Sequence, residues 1–165
     1  MSGAPNSKRR MVAVGGAAAA IAVVTAISGP LIDREEGLRL APYQDSVKIW
    51  TDCRGHTGPD VKPGHVNTLA ECNVKFDADQ RKVILAEGRC THVAVPVESF
   101  AAFTSFGFNV GAGTYCRKVA PLVNAGNLRA ACAKLSLYVY AGKTKLRGLV
   151  IRRARERAIC ERGLS

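Results

Sequence analysis

The chain has 165 residues, 47% hydrophobic and 22% charged, a length suited to one domain with a short appendage and a composition that excludes a disordered or collagen-like chain. Formal net charge is +11, concentrated at the two ends: residues 1–10 carry +3, residues 11–32 none, residues 33–115 a balance of −2 and residues 116–165 a balance of +10. A basic surface fits a polyanionic partner, of which nucleic acid is only one kind.

Lys8, Arg9 and Arg10 precede an uncharged stretch, Met11 to Ile32. As a helix its 22 residues would span about 33 Å, close to the thickness of a bilayer core. The basic flank predicts a cytoplasmic N-terminus with the rest of the chain exported. The stretch is only weakly apolar, with seven Ala, three Gly, Thr25, Ser28 and Pro30, so a segment that enters the membrane and later leaves it is expected. An ordinary signal peptide, cut near Ala26-Ile27-Ser28, is the alternative.

Residues 38–58 read as a short β-meander, punctuated by Pro42, Gly55 and Gly58, with Val47 to Thr51 alternating as a half-buried strand does. Gly58 to Gly64 is a loop. Thr68 and Glu71 form a capping box that predicts a helix to about Glu87, ending at Gly88. Phe100, Phe103 and Phe106 recur every three residues in Val97–Val110, which marks the central core helix, broken at Asn109–Gly113. Further helices are expected at Cys116–Ala125, Leu128–Tyr138 and Leu149–Arg162. The sum is a small α+β body, a β-rich lobe followed by a larger helical one.

Six cysteines, Cys53, Cys72, Cys90, Cys116, Cys132 and Cys160, lie no closer than sixteen residues apart. That spacing offers no metal-binding pair, and neither a metal nor a cofactor is expected. An even count reads as disulfides in an oxidising compartment. Fifteen connectivities exist, and nearest-neighbour pairing gives Cys53–Cys72, Cys90–Cys116 and Cys132–Cys160. All six follow residue 32, so no thiol of the apolar stretch can trap a catalytic group.

Glu36 is followed nine residues on by Asp45 and six further by Thr51. A folded-back meander can bring such groups to one cleft wall. Glycoside hydrolysis needs one carboxyl that donates a proton to the leaving oxygen and one ionised carboxylate; a hydroxyl can help hold the water. Trp50 reads either as a residue lining such a sugar cleft or, as a lone Trp in a strand more often is, as core. Arg152, Arg153, Arg155 and Arg157 read either as a solvated helix face or as a basic surface attracted to acidic polymers of the cell envelope.

The run Glu36-Gly37, Tyr43, Asp45, Trp50-Thr51, Gly55, Thr57-Gly58 resembles the active-site region of the phage-type lysozymes, the endolysin muramidases. Asn109-Val110-Gly111 resembles the end of their core helix, and Gly148-Leu149, Arg152-Arg153, Glu156 their C-terminal signature. The resemblance covers about residues 33–163. It implies a lysozyme-like α+β fold and a muramidase cutting the β-1,4 bond between N-acetylmuramic acid and N-acetylglucosamine in peptidoglycan. On the matching positions Glu36 is the general acid, Asp45 the carboxylate that places the water or stabilises the oxocarbenium-like state, and Thr51 the hydroxyl that helps place that water. Residues 11–32 are similar to the releasable segment of signal-anchor-release endolysins, which divides the chain into an anchor, 1–32, and a catalytic domain, 33–165. The protein is then expected in the host inner membrane facing the periplasm, inactive while tethered, and later free in the periplasm. Its partners would be peptidoglycan and, transiently, the inner membrane; it would be a monomer that binds no nucleic acid. The alternatives are a non-catalytic, membrane-anchored wall-binding protein and a lytic transglycosylase.

Overall fold

The computed structural model describes residues 11–12, 18–45 and 48–165. The basic flank Lys8–Arg10, residues 13–17 of the apolar stretch and Val47 of the expected strand lie outside them.

Strand β1 (Met11–Val12) is followed by helix α1 (Ala18–Glu36). Val24, Ser28 and Ile32 recur every four residues and are buried together with Gly29, so one stripe of α1 faces the body. Small residues let the helices approach closely. A Cβ on Gly29 would already touch the Gln80 side chain at 3.6 Å, and Ser28 Oγ donates to Gln80 Oε1 at 3.0 Å. The apolar stretch expected to leave the membrane is, over its described residues 18–32, packed on the body. Residues 18–32 belong to the first helix of the folded body, which continues past Ile32 to Glu36. No helix among the described residues is long and apolar enough to cross a membrane.

The β-lobe is an antiparallel meander of β2 (Arg39–Gln44), β3 (Trp50–Cys53) and β4 (His56–Thr57). Its register sets Tyr43 opposite Thr51 and Thr51 opposite Thr57, with an irregularity in β2 between Arg39 and Tyr43. β3 starts at Trp50, later than the alternation predicts: Lys48 stands at φ +67° and its N–H donates to Asp45 O at 3.1 Å. Trp50 is 39% exposed and is not core.

Helix α2 (Leu69–Cys90) starts at the capping box: Glu71 N donates to Thr68 Oγ1 at 3.2 Å and Thr68 N to Glu71 Oε2 at 2.6 Å. It runs through Gly88, since one glycine costs a helix only about 1 kcal/mol. Strand β5 (Val95–Pro96) pairs antiparallel with β1 and leads into α3 (Val97–Val110). Phe100, Phe103 and Phe106 are fully buried there, and α1 and α7 pack on its flanks. The single helix expected at Cys116–Ala125 is two, α4 (Ala112–Lys118) and α5 (Ala120–Asn124). Pro121, in the first turn of α5, has no N–H to continue the ladder from α4. Helix α6 (Leu128–Leu135) ends earlier than expected, and an unforeseen hairpin, β6 (Tyr140–Ala141) with β7 (Thr144–Lys145), precedes α7 (Arg147–Arg162). Gly142, at φ +59°, makes the turn of that hairpin.

Disulfides join Cys53 to Cys72, Cys90 to Cys116 and Cys132 to Cys160. They tie the β-lobe to α2, α2 to α4, and α6 to α7. The whole is an α+β body with a helical majority and small sheets.

Candidate active site

Glu36 is the last residue of α1, and Gly37, at φ +69°, turns the chain out of the helix where a side chain would be strained. The carboxyl of Glu36 is therefore aimed by a helix whose other end is anchored in the core. Its Oε1 accepts a hydrogen bond from Arg152 Nη1 at 2.7 Å. Its Oε2 lies beside the β3–β4 turn, 3.6 Å from where a Cβ on Gly55 would sit. The side chain remains 22% exposed, enough to meet a ligand.

Asp45 sits where β2 turns toward β3. Its N–H donates to Ile49 O at 2.9 Å, and its Oδ1 accepts from Ile49 N at 2.8 Å, which fixes the carboxylate on the turn. Thr51 is 4% exposed and donates from Oγ1 to Ile49 O at 3.1 Å. With Tyr43 opposite Thr51 and Asp45 paired to Ile49, these four residues alternate onto one face of the hairpin. The hairpin thus sets Asp45 and Thr51 on a common face, while Glu36 reaches the same small sheet at its next turn, by Gly55.

Behind Glu36 lies a network that the spacing of residues did not reveal. Arg152 Nε donates to Glu156 Oε1 at 3.3 Å and its Nη2 to Ser105 O at 3.3 Å. Ser105 Oγ donates to Glu156 Oε1 at 2.8 Å. Arg153 Nε stands 3.2 Å from Glu156 Oε2, an ion pair without hydrogen-bond alignment, and Arg153 Nη2 donates to Asn109 Oδ1 at 2.8 Å. The guanidinium of Arg153 lies over the Phe106 ring, 5.0 Å from its centroid. Burial pushes the Glu156 carboxyl up, opposed by Arg153, Ser105 and Arg152, and burial pushes Arg153 down. Arg152 and Arg153 are consequently neither a solvated face nor a surface for polymers; they are buried. Of the four arginines read that way, Arg155 pairs with Glu35 at 2.5 Å and Arg157 with Glu161 at 2.7 Å. The i, i+4 spacing of Arg152 and Glu156 was the one available signal, but it does not show which side of the helix is buried.

Among the described residues no group of three or more His, Cys, Asp or Glu is placed to hold a metal ion. The chemistry available is that of carboxyl, hydroxyl and guanidinium groups, which suits proton transfer and water placement at a bond between sugars.

The chain is similar to known proteins. The family model for phage lysozyme matches residues 33–156. The chain is 38% identical over 160 residues to a SAR-endolysin of Enterobacteria phage PA-2, covering 94% of this chain and 96% of the relative. It is 39% identical over 160 residues to a SAR-endolysin of Enterobacteria phage P21, with the same coverage of 94% and 96%. A crystal structure of the active form of the P1 phage endolysin Lyz superposes with a TM-score of 0.69 at 30% identity, covering 92% of this chain and 98% of that one. This chain belongs to the phage lysozyme family and is a glycoside hydrolase of the lysozyme type.

Proposed function

We propose that the protein is an endolysin whose Glu36, Asp45 and Thr51 hydrolyse the β-1,4 bond between N-acetylmuramic acid and N-acetylglucosamine in bacterial peptidoglycan. Glu36 donates its proton to the glycosidic oxygen as that bond breaks. Asp45 orients the attacking water and offsets the positive charge that develops on the sugar ring, and Thr51 helps hold the water. Arg152 fixes the direction of the acid. The observation that carries this reading is the hairpin register that sets Asp45 and Thr51 on one face, with Glu36 delivered to the same sheet by α1.

The same helix supplies the control. On this reading residues 1–32 are the anchor and 33–165 the catalytic domain, and residues 11–32 first span the host inner membrane with the N-terminus inside. Val24, Ser28, Gly29 and Ile32 cannot lie in lipid and in the protein core at once. While they are in the bilayer, Glu36, four residues beyond Ile32, is held at its surface and the site is incomplete. Release into the periplasm lets α1 pack on α3 and places the acid. The likeness to the active form of the P1 phage endolysin supports assigning the present arrangement to the released state.

Turbidity loss of purified peptidoglycan, with product masses, tests the chemistry. Wild type should clear the walls and leave reducing muramic-acid ends. Glu36→Gln should lose at least about a thousandfold, and Asp45→Asn and Thr51→Val about tenfold or more. Clearance by Glu36→Gln at the wild-type rate ends the proposal, and 1,6-anhydro products would make the enzyme a lytic transglycosylase. Protein retained in membranes should be at least tenfold less active than the same protein after collapse of the membrane potential.

A further inference from the structure

We infer that Glu156 is a positioning residue for the acid: by holding Arg152 and sharing its charge, it lets Glu36 keep an arginine partner and still act as a proton donor. The inference rests on the proposed role of Glu36.

A proton donor beside an unshared guanidinium faces a conflict. The guanidinium orients the carboxyl but favours its ionised form, whereas a general acid must carry its proton near working pH. Here the fork of Arg152 is divided. Nη1 goes to Glu36, Nε to Glu156 and Nη2 to the Ser105 carbonyl. Glu156 is 1% exposed, so its charge acts on Arg152 with little screening by water. Ser105 Oγ holds Glu156 Oε1 in place at 2.8 Å.

The surrounding charges come from every element packed there. Glu35 and Glu36 come from α1, Glu87 from α2, Ser105 and Asn109 from α3, and Arg152, Arg153 and Arg155 from α7. Arg155 is occupied by Glu35, and Arg153 by Asn109 and the Phe106 ring as well as Glu156. Glu156 is thus the second carboxylate on the guanidinium that, among the described residues, touches Glu36. An ion pair needed only for packing would not require that guanidinium to be shared.

The test separates charge from shape in the full-length protein. The rate of wall clearance at limiting peptidoglycan is followed against pH for wild type, Glu156→Gln, Glu156→Asp, Ser105→Ala and Glu36→Gln, each with its Tm. Glu156→Gln keeps the shape and loses the charge. Its alkaline limb should move toward acid by about half a pH unit or more, with kcat falling more than KM changes. Glu156→Asp keeps the charge, and its limb should stay near that of wild type even if its Tm drops. Ser105→Ala weakens the hold on the Glu156 carboxylate and should shift the limb the same way by less; it decides the matter if Glu156→Gln does not fold. An alkaline limb of Glu156→Gln superimposable on wild type overturns the inference, as does a limb of Glu156→Asp displaced as far as that of Glu156→Gln. Undiminished clearance by Glu36→Gln removes the role of Glu36 itself, and this inference with it, a result distinct from the other two.

Discussion

Glu87 is a carboxyl group shut away from water on α2. Its Oε2 accepts from Thr104 Oγ1 at 3.2 Å, its Oε1 has no hydrogen-bond partner among the described residues, and it fits only because Gly107 has no Cβ, which would lie 1.9 Å from Oε1. Burial pushes this carboxyl well above its ordinary range, opposed by Thr104 and reinforced by the charge of Glu156. A group whose folded value is raised stabilises the fold fully below its unfolded value, about 4.3, and that contribution is lost as pH rises toward the folded value. Glu87→Gln carries no charge at any pH. Its stability relative to wild type should therefore improve between pH 5 and pH 8, by at most about 1.4 kcal/mol per pH unit. Urea unfolding at the two pH values measures this, and equal differences at both would show that Glu87 does not titrate with folding. His56 has the same sign by another route. Burial disfavours its charged form, but hydrogen bonds and charge from Asp79 (2.6 Å) and Asp60 (3.1 Å) outweigh it and raise the imidazole. The pair is then strongest below about pH 6.5 and fades as pH climbs through the raised value, so the Tm penalty of His56→Gln should be larger at pH 6 than at pH 9. At this scale the sequence offered Glu36, Asp45 and Thr51 as candidates through a family resemblance carried by one short segment. It was silent on Glu87 and did not disclose the contacts of Arg152 and Glu156, which it offered only as a signature; their meaning depends on partners as far as 116 residues away.

At the scale of elements, α1 is read most differently in sequence and in structure. A helix of Ala, Gly and Val with few large side chains satisfies the requirements of a weak membrane span and equally those of a helix packed tightly on others, and local pattern does not separate the two. The capping box at Thr68, the aromatic stripe of α3 and the stop at Gly111 were legible because each is a local rule, whereas α2 ran through the expected stop at Gly88. The division of α4 from α5 turns on Pro121, and the β6–β7 hairpin has strands of two residues each, too short for alternation to register. Because α1 both fills the core and carries Glu36, damage to its buried stripe should weaken stability and activity together. Ile32→Ala removes a fully buried side chain one turn from the acid and should cost about 2–5 kcal/mol. Val123→Ala, an equally buried change in α5, provides the comparison. Ile32→Ala should lose several-fold more wall-clearing activity than Val123→Ala at temperatures where both remain folded by circular dichroism. Equal activities would mean that α1 does not transmit its position to the site.

For the molecule as a whole, the two lobes and their order followed from the succession of strand, turn and helix signals along the chain, but the distribution of charge required the fold. From Ser99 to Arg155 the chain has ten basic residues and no acidic one. Arg152 and Arg153 are buried and Arg155 is paired with Glu35, which takes three of the ten out of the exposed charge. Arg117, Lys118, Arg129, Lys143, Lys145 and Arg147 remain exposed, the last three along the β6–β7 hairpin and the start of α7. That hairpin leads directly into the helix that holds Arg152, and its exposed cations would attract a polyanionic wall polymer as it approaches. Exposed charge acts within about 8–10 Å at ordinary ionic strength and weakens as salt rises. Clearance of intact walls should accordingly slow with added NaCl at fixed pH. Lys143→Glu combined with Lys145→Glu should slow it at least about threefold at low salt and flatten its salt dependence, with Tm nearly unchanged because both side chains are exposed. Cleavage of a short, uncharged oligosaccharide of the same sugars should respond to neither salt nor these substitutions. A salt dependence identical in the double variant and wild type would assign the basic hairpin to solvation alone.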